Sequence, residues 1–225
     1  MSQPYRLYGD YWNRAVGPMM VMDELGLDYE VQPVNTRAGD NKQPDFLAVN
    51  PAGFIPALTT PEGEHLHESA AIMLYLGERH GEGRLVPGVQ DPDRGRFLSL
   101  YFFLPNDIQP PTKRFFYPHR YSVTPESVPQ IRAQARAAAE ERWRVLDGIL
   151  ARSPGPFHLG ERFSLADIQL AHWAAYGFDR IEDIVEGFPA VRRVFDAVAA
   201  RPRCGALLKR QRDSLEAYRA GLKQL

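Results

Sequence analysis

The chain has 225 residues, 44% hydrophobic and 24% charged, with a net charge of -1, enough for one large or two modest domains and giving no global attraction to nucleic acid or an anionic membrane. Its one cysteine excludes an internal disulfide and a Cys-x-x-Cys centre, and its six scattered histidines show no paired metal-ligand spacing. No window reaches the ~18 uninterrupted apolar residues of a spanning helix and the N-terminus lacks a signal-peptide apolar run, so a cytoplasmic address is expected.

In chain order, Tyr5 to Tyr8 predicts a short first strand, ended by Gly9-Asp10. A helix then runs to about Leu25 and stops at Gly26. Pro18 belongs in its first turn, where a missing N–H costs little. Met19, Met20, Val21 and Met22 supply its apolar side, as core or as an adaptable pocket lining. Tyr29 to Val34 predicts a second strand, and the polar stretch from Thr36 predicts a loop with a short helix over Asp45 to Val49.

The next stretch, Asn50-Pro-Ala-Gly-Phe-Ile-Pro-Ala-Leu, carries a turn and the start of a strand. Gly53 permits a tight bend, and Pro56, which cannot donate to a sheet ladder, marks the first residue of a strand over Ala57 to Thr60. If the Ile55–Pro56 bond is cis, it turns the free N–H and C=O of Ile55 outward, towards a ligand able to complete the ladder. A turn at Pro61-Glu62-Gly63-Glu64, a strand ending near Leu66 and a helix opening at Ser69 follow. A hydroxyl at that helix start, with the partial positive charge of the helix end, is a ready site for a carboxylate, and Glu68 beside it for an ammonium. Together these groups would grip a small peptide, its amino-acid head on Glu68 and Ser69 and its amide backbone along Ile55. The plainer reading is a shaped turn and a capped helix.

The third helix ends near His80, and the segments around Gly81 to Gly83 and Pro87 to Pro92 form a linker, placing domains at 1–82 and 93–225. Beyond it no strand pattern recurs. Arg94 to Leu104 predicts a helix interrupted near Pro105 and by Pro110-Pro111, and Gln130 to Leu150 a long alanine-rich one. Ser164 then reads as an N-cap with Asp167 at N3, and Phe163 can staple onto Ile168. Helices over Pro189 to Ala200 and Gly205 to Leu222 complete the chain, with Arg201, Arg203, Lys209, Arg210 and Arg212 read as a solvated face and Cys204 as structural. Phe97, Tyr101, Phe102, Phe103, Phe115 and Phe116 crowd into a short window with Asn106, as core packing or as an apolar pocket.

The Asn-Pro-x-Gly-x-Ile-Pro-x-Leu turn followed by Glu68-Ser69 resembles the cytosolic glutathione S-transferase superfamily. The resemblance spans nearly the whole chain and implies an α/β thioredoxin-like domain followed by an all-α helical bundle domain. It implies glutathione as co-substrate, held by Gln43, Phe54, Ile55, Pro56, Glu68 and Ser69, and no metal. Lys42 and Gln43 lie where the family places groups meeting the glycine end of glutathione, or else in a solvated loop. The small hydrophobic electrophile would meet Trp12, Tyr101, Asn106 and Phe116, and the enzyme would be a homodimer. Aligning Leu7-Tyr8 and Gly26 with the family's strand and helix end puts Asn13 at the usual serine position of the thiol-activating residue, with Tyr11, Trp12 and Arg14 as contenders. Disulfide reduction and non-catalytic glutathione binding stand as rival readings.

Overall fold

Strand β1 (Tyr5–Tyr8) buries Tyr5 and Leu7 and leaves Arg6 exposed, the alternation of a strand with one covered face. The structure, a computed structural model, describes residues 3–81, 83–180 and 182–222. Helix α1 (Val16–Leu25) follows, with every residue from Val16 to Met22 buried, so the methionines are core. Pro18 sits in its first turn, and Gly26 ends it at φ 69, a left-handed conformation in which its N–H reaches back to the carbonyls of Met22 and Asp23. Strand β2 (Tyr29–Gln32) lies parallel to β1, and the short α2 (Pro44–Val49) comes before β3 (Ala57–Thr59), β4 (His65–His67) and α3 (Ser69–His80). The sheet order is β2-β1-β3-β4, with β3 antiparallel to β1 and β4 antiparallel to β3. This mixed four-stranded sheet is the thioredoxin-like arrangement that the resemblance implies. Strand β2 stops two residues short of the expected Val34, which turns inward instead to a buried cluster with Phe46, Val49, Ile55 and Ala57.

The helical part runs through α4 (Arg94–Phe103), α5 (Gln109–Phe116), α6 (Val128–Leu150), α7 (Leu165–Ala174), α8 (Asp183–Gly187) and α9 (Pro189–Ala199) to α10 (Pro202–Leu222). Instead of breaking at Pro105, the chain widens into a π turn over Leu104–Ile108 and continues as α5. Pro110 and Pro111 fall in the first turn of α5, directly after the wider π turn. Helix α7 is buried on every side, and its start is built around Asp167. That carboxylate, wholly buried, accepts the N–H of Ser164 at 2.9 Å, the Ser164 hydroxyl at 2.8 Å and the N–H of His158 at 2.8 Å.

Contacts divide the chain differently from a single cut at 82–93. One compact unit comprises 1–88 together with 199–225, and the other 89–198. Helix α10 joins the sheet unit because its buried stripe, Cys204, Leu207, Leu208, Gln211 and Leu215, packs with α1. Part of its basic cluster is spent there rather than solvated. Arg201 pairs with the buried Glu24 carboxylate at 2.6 Å, and Arg203 donates to the Asp23 carbonyl. Cys204 donates to the same Glu24 at 3.3 Å, and burial beside that carboxylate pushes its thiol up, so it is a poor nucleophile.

Candidate glutathione site

The register of the sheet decides which loops meet. Tyr8 pairs with both Gln32 and Ala57, and Ala57 pairs with His67. Residues just after Tyr8, just before Ala57 and just after His67 therefore emerge at one edge. It is the carboxyl end of the parallel strands β1 and β2, where open α/β sheets place ligands. The loop from Gly9 to Ala15, the Ile55–Pro56 pair and the Glu68–Ser69 helix start are thereby brought together. Gly9 donates to the Gln32 carbonyl at 3.0 Å, and a Cβ on it would stand 2.4 Å from that of Ala15. Only glycine lets the strand end approach the start of α1 so closely.

The Ile55–Pro56 bond is cis. The Ile55 carbonyl, expected to be open, already accepts from the Arg14 guanidinium at 2.9 Å. Its second lone pair stays available to a ligand amide. The preceding turn is braced by two asparagines. Asn50, buried, donates to the Phe54 carbonyl at 2.7 Å and accepts from the Ala52 N–H at 3.1 Å, while Asn41 donates to the Gly53 carbonyl at 2.7 Å. Phe54 is 49% exposed, with the Lys42 ammonium 5.9 Å from its ring centre. Gln43 is exposed at the N-terminus of α2.

Helix α3 begins differently from the expectation. Glu68, not Ser69, is its N-cap, and Ser69 is its first helical residue. No side chain caps the helix by a hydrogen bond, and its first turn holds no acidic group beyond the N-cap Glu68 itself. Glu68 is exposed and held at φ 68, where non-glycine residues are strained by about 1–3 kcal/mol. Such strain persists where the surroundings require it, and here it sets an exposed carboxylate directly beside a 7%-exposed serine at a helix N-terminus. The pair offers one partner to an ammonium and one to a carboxylate.

In the β1–α1 loop, Asn13 is 7% exposed. Its Oδ1 accepts the Ala15 N–H at 3.0 Å, which fixes the orientation of the amide, and its Nδ2 is buried without a hydrogen-bond partner. A buried donor left open is costly unless a ligand fills it. Arg14, next in sequence, ties this loop to Ile55. The other candidates carry contacts of their own. The Tyr11 ring lies under the Arg210 guanidinium, 3.4 Å from its centre, and Trp12 stacks on Tyr218 at 4.0 Å while its Nε1 donates to Asp10 at 3.1 Å.

In the helical unit, Tyr101 is 0% exposed, stacked on Phe97 and edge-on to Phe102, so it packs as core and presents no wall to a substrate. Asn106 is exposed on the π turn, and Phe116 is half-buried against Phe115 and Tyr176.

The model of the glutathione S-transferase N-terminal domain matches residues 15–79, and that of the glutathione S-transferase C-terminal domain matches 111–202. Glutathione S-transferase 3 of Zea mays is 33% identical over 210 residues, covering 88% of this chain and 90% of that protein. The chain belongs to the glutathione S-transferase superfamily. Disulfide-bond oxidoreductase YfcG of Escherichia coli strain K12 is 30% identical over 200 residues, covering 85% of this chain and 89% of that protein. Among solved structures, a glutathione transferase homologue from Sulfitobacter with bound glutathione shares the fold, with a TM-score of 0.80 and 24% identity over 92% of this chain and 97% of that one.

For a glutathione S-transferase family member, sequence reasoning missed three features of this site. The Arg14 bond to the Ile55 carbonyl joins residues 41 positions apart and has no local signature. The strained φ of Glu68 is equally invisible in a residue list. The asparagine braces were more accessible, since Asn beside Pro and Gly is a turn signal whose side chain bonds nearby backbone.

Proposed function

We propose that the chain binds glutathione along this sheet edge and holds its sulfur as a thiolate for transfer to a small hydrophobic electrophile. The ammonium of the tripeptide lies on Glu68, the carboxylate beside it on Ser69 and the N-terminus of α3, and the cysteinyl amide along Ile55. The observation that carries the reading is the Asn13 Nδ2, a buried donor with no protein partner, at the loop Arg14 ties to Ile55. The thiol loses its proton to solvent and the thiolate attacks an electrophilic carbon. A carbon–sulfur bond forms while the bond to the leaving group breaks, the group departing with the electron pair. Asn13 and the positive end of α1 favour the ionised sulfur.

The absence of a hydroxyl at Asn13, and a 30%-identical relative named as a disulfide-bond oxidoreductase, support a second reaction at the same site. There the thiolate attacks one sulfur of a glutathionyl disulfide, forming a new disulfide and releasing the other sulfur as thiolate, with no protein cysteine taking part. Turnover of an aryl halide is measured beside that of a glutathionyl disulfide. Conjugation is expected; disulfide exchange alone moves the assignment to the second reaction, and glutathione binding with neither activity leaves a binding protein.

A further inference from the structure

Helix α10 does more in the first unit than cover α1. Its buried stripe ends at Leu215, yet two further side chains reach the loop that carries Asn13. Arg210, exposed and on the helix face beside the stripe, lies over the Tyr11 ring. One turn beyond Leu215, the Tyr218 ring lies parallel to Trp12, at 4.0 Å and 11°. The guanidinium of Arg37, from the loop after β2, covers the other face of Tyr218 at 4.1 Å. The result is a three-layer sandwich, Arg37 on Tyr218 on Trp12, drawn from three separated parts of the chain.

Hydrogen bonds carry the sandwich to the site. Trp12 Nε1 donates to one carboxylate oxygen of Asp10 at 3.1 Å, and the Tyr11 N–H donates to the other at 2.6 Å. The Asp10 carbonyl in turn accepts the backbone N–H of Asn13 at 3.3 Å. The turn that aims the Asn13 amide is therefore tied to Trp12, whose ring is held from within the loop by the Asp10 carboxylate and from outside it by Tyr218. Stacked aromatic pairs and cation–π contacts bring stabilisation beyond the area they bury, so the clamp has a real hold on the loop.

We infer that Tyr218 is a positioning residue for the thiol site, acting through Trp12 and Asp10 to hold the Asn13 amide against the sulfur, with Arg37 as its brace. The inference rests on the proposed thiolate reading, because it concerns the group that would meet the sulfur. The role inferred for Tyr218 runs through its ring contact with Trp12. Its phenol ring matters and its hydroxyl does not, so the conservative variant discriminates this role from a polar contact.

The test is the pKa of enzyme-bound glutathione, titrated by thiolate ultraviolet absorbance, together with kcat and KM for conjugation, in wild type, Tyr218→Ala, Tyr218→Phe and Arg37→Ala. Loss of one aimed neutral hydrogen bond predicts a rise of about half a pKa unit in Tyr218→Ala, with kcat down about threefold. KM for glutathione stays constant because Ile55, Glu68 and Ser69 are untouched. Tyr218→Phe should match wild type, and Arg37→Ala should show a smaller rise in the same direction. A wild-type thiol pKa in Tyr218→Ala overturns the inference, as does a Tyr218→Phe value as high as that of the alanine variant. Should Tyr218→Ala fail to fold, Arg37→Ala decides: this exposed side chain carries no core, and an unchanged pKa there overturns the clamp. A wild-type enzyme whose bound glutathione titrates like the free thiol sinks the underlying thiolate reading, and this inference falls with it.

Discussion

The two ends of the Asn13 amide have different fates. The oxygen is committed to the Ala15 N–H, a local turn bond of the kind asparagine makes readily, while the nitrogen is buried and open. The substitution that separates these roles is Asn13→Asp, which keeps an acceptor for Ala15 but sets a negative charge where the donor was. It should lower thermal stability, because an unpaired carboxylate is buried there, and raise the bound thiol pKa by at least about one unit, since like charge disfavours the thiolate. An unshifted titration in a folded Asn13→Asp protein removes Asn13 from the site. Ser69 invites the complementary experiment. As the first residue of α3 and not its cap, with no capping bond to lose, it should cost little in fold when truncated. A hydrogen bond to a charged group is worth about 1.5–3 kcal/mol, so Ser69→Ala should weaken glutathione binding roughly tenfold to a hundredfold by calorimetry, with a nearly unchanged Tm.

At the scale of elements, the start of α7 concentrates the most consequence in one side chain. Burial pushes the Asp167 carboxyl up to about 6, against the hydrogen bonds from His158 and Ser164 that favour its ionised form. The unfolded chain holds the same group near ~3.9, so between those values the folded state binds the proton more tightly. The stabilisation linked to that proton is therefore complete below about 4 and is lost as pH rises through about 6. Asn at this position cannot titrate, and its amide would turn a donor towards an N–H. Asp167→Asn should lower stability by about 2–4 kcal/mol, and the gap to wild type should narrow as pH rises from about 4 to about 7, measured by denaturant unfolding. A gap independent of pH would mean that the carboxyl is ionised throughout. The β1–α1 element carries a steric counterpart at Gly9, where an added Cβ meets Ala15 at 2.4 Å. Gly9→Ala should push the loop off the sheet edge and reduce both stability and glutathione affinity.

Across the whole molecule, the chain does not close its units in sequence order. The last helix returns to the first unit, where Arg201 and Cys204 share the buried Glu24 carboxylate and Leu207, Leu208 and Leu215 are buried. A chain ending at residue 198 would strip that cover and leave Glu24 without its guanidinium. The Arg201 side chain is itself part-exposed, so solvent screens that pair and the lost apolar burial is the larger cost. The truncated protein should therefore melt well below wild type, and its glutathione binding should fail with the sheet unit. A truncated chain that melts and binds like wild type would show α10 to be dispensable to that unit.

Much of this protein was determined locally and was legible in the residues. The strand–helix–strand order, the stop at Gly26, the turn at Asn50 to Pro56 and the Ser164–Asp167 helix start each rest on contacts between neighbours a few positions apart, so composition and spacing carry them. Glu68 and Ser69 were readable as a pair for the same reason, though not which of them caps the helix, because that turns on one backbone dihedral. Tertiary structure alone decided the rest. Tyr101 reads as a pocket aromatic in its window but is sealed between Phe97 and Phe102, and Arg201 reads with its exposed basic neighbours as solvated until α1 supplies Glu24. Arg14 meets Ile55, and Tyr218 meets Trp12, across separations no periodicity encodes. Local pattern sets which face of an element is apolar, but which charge or ring it meets depends on the path of the whole chain.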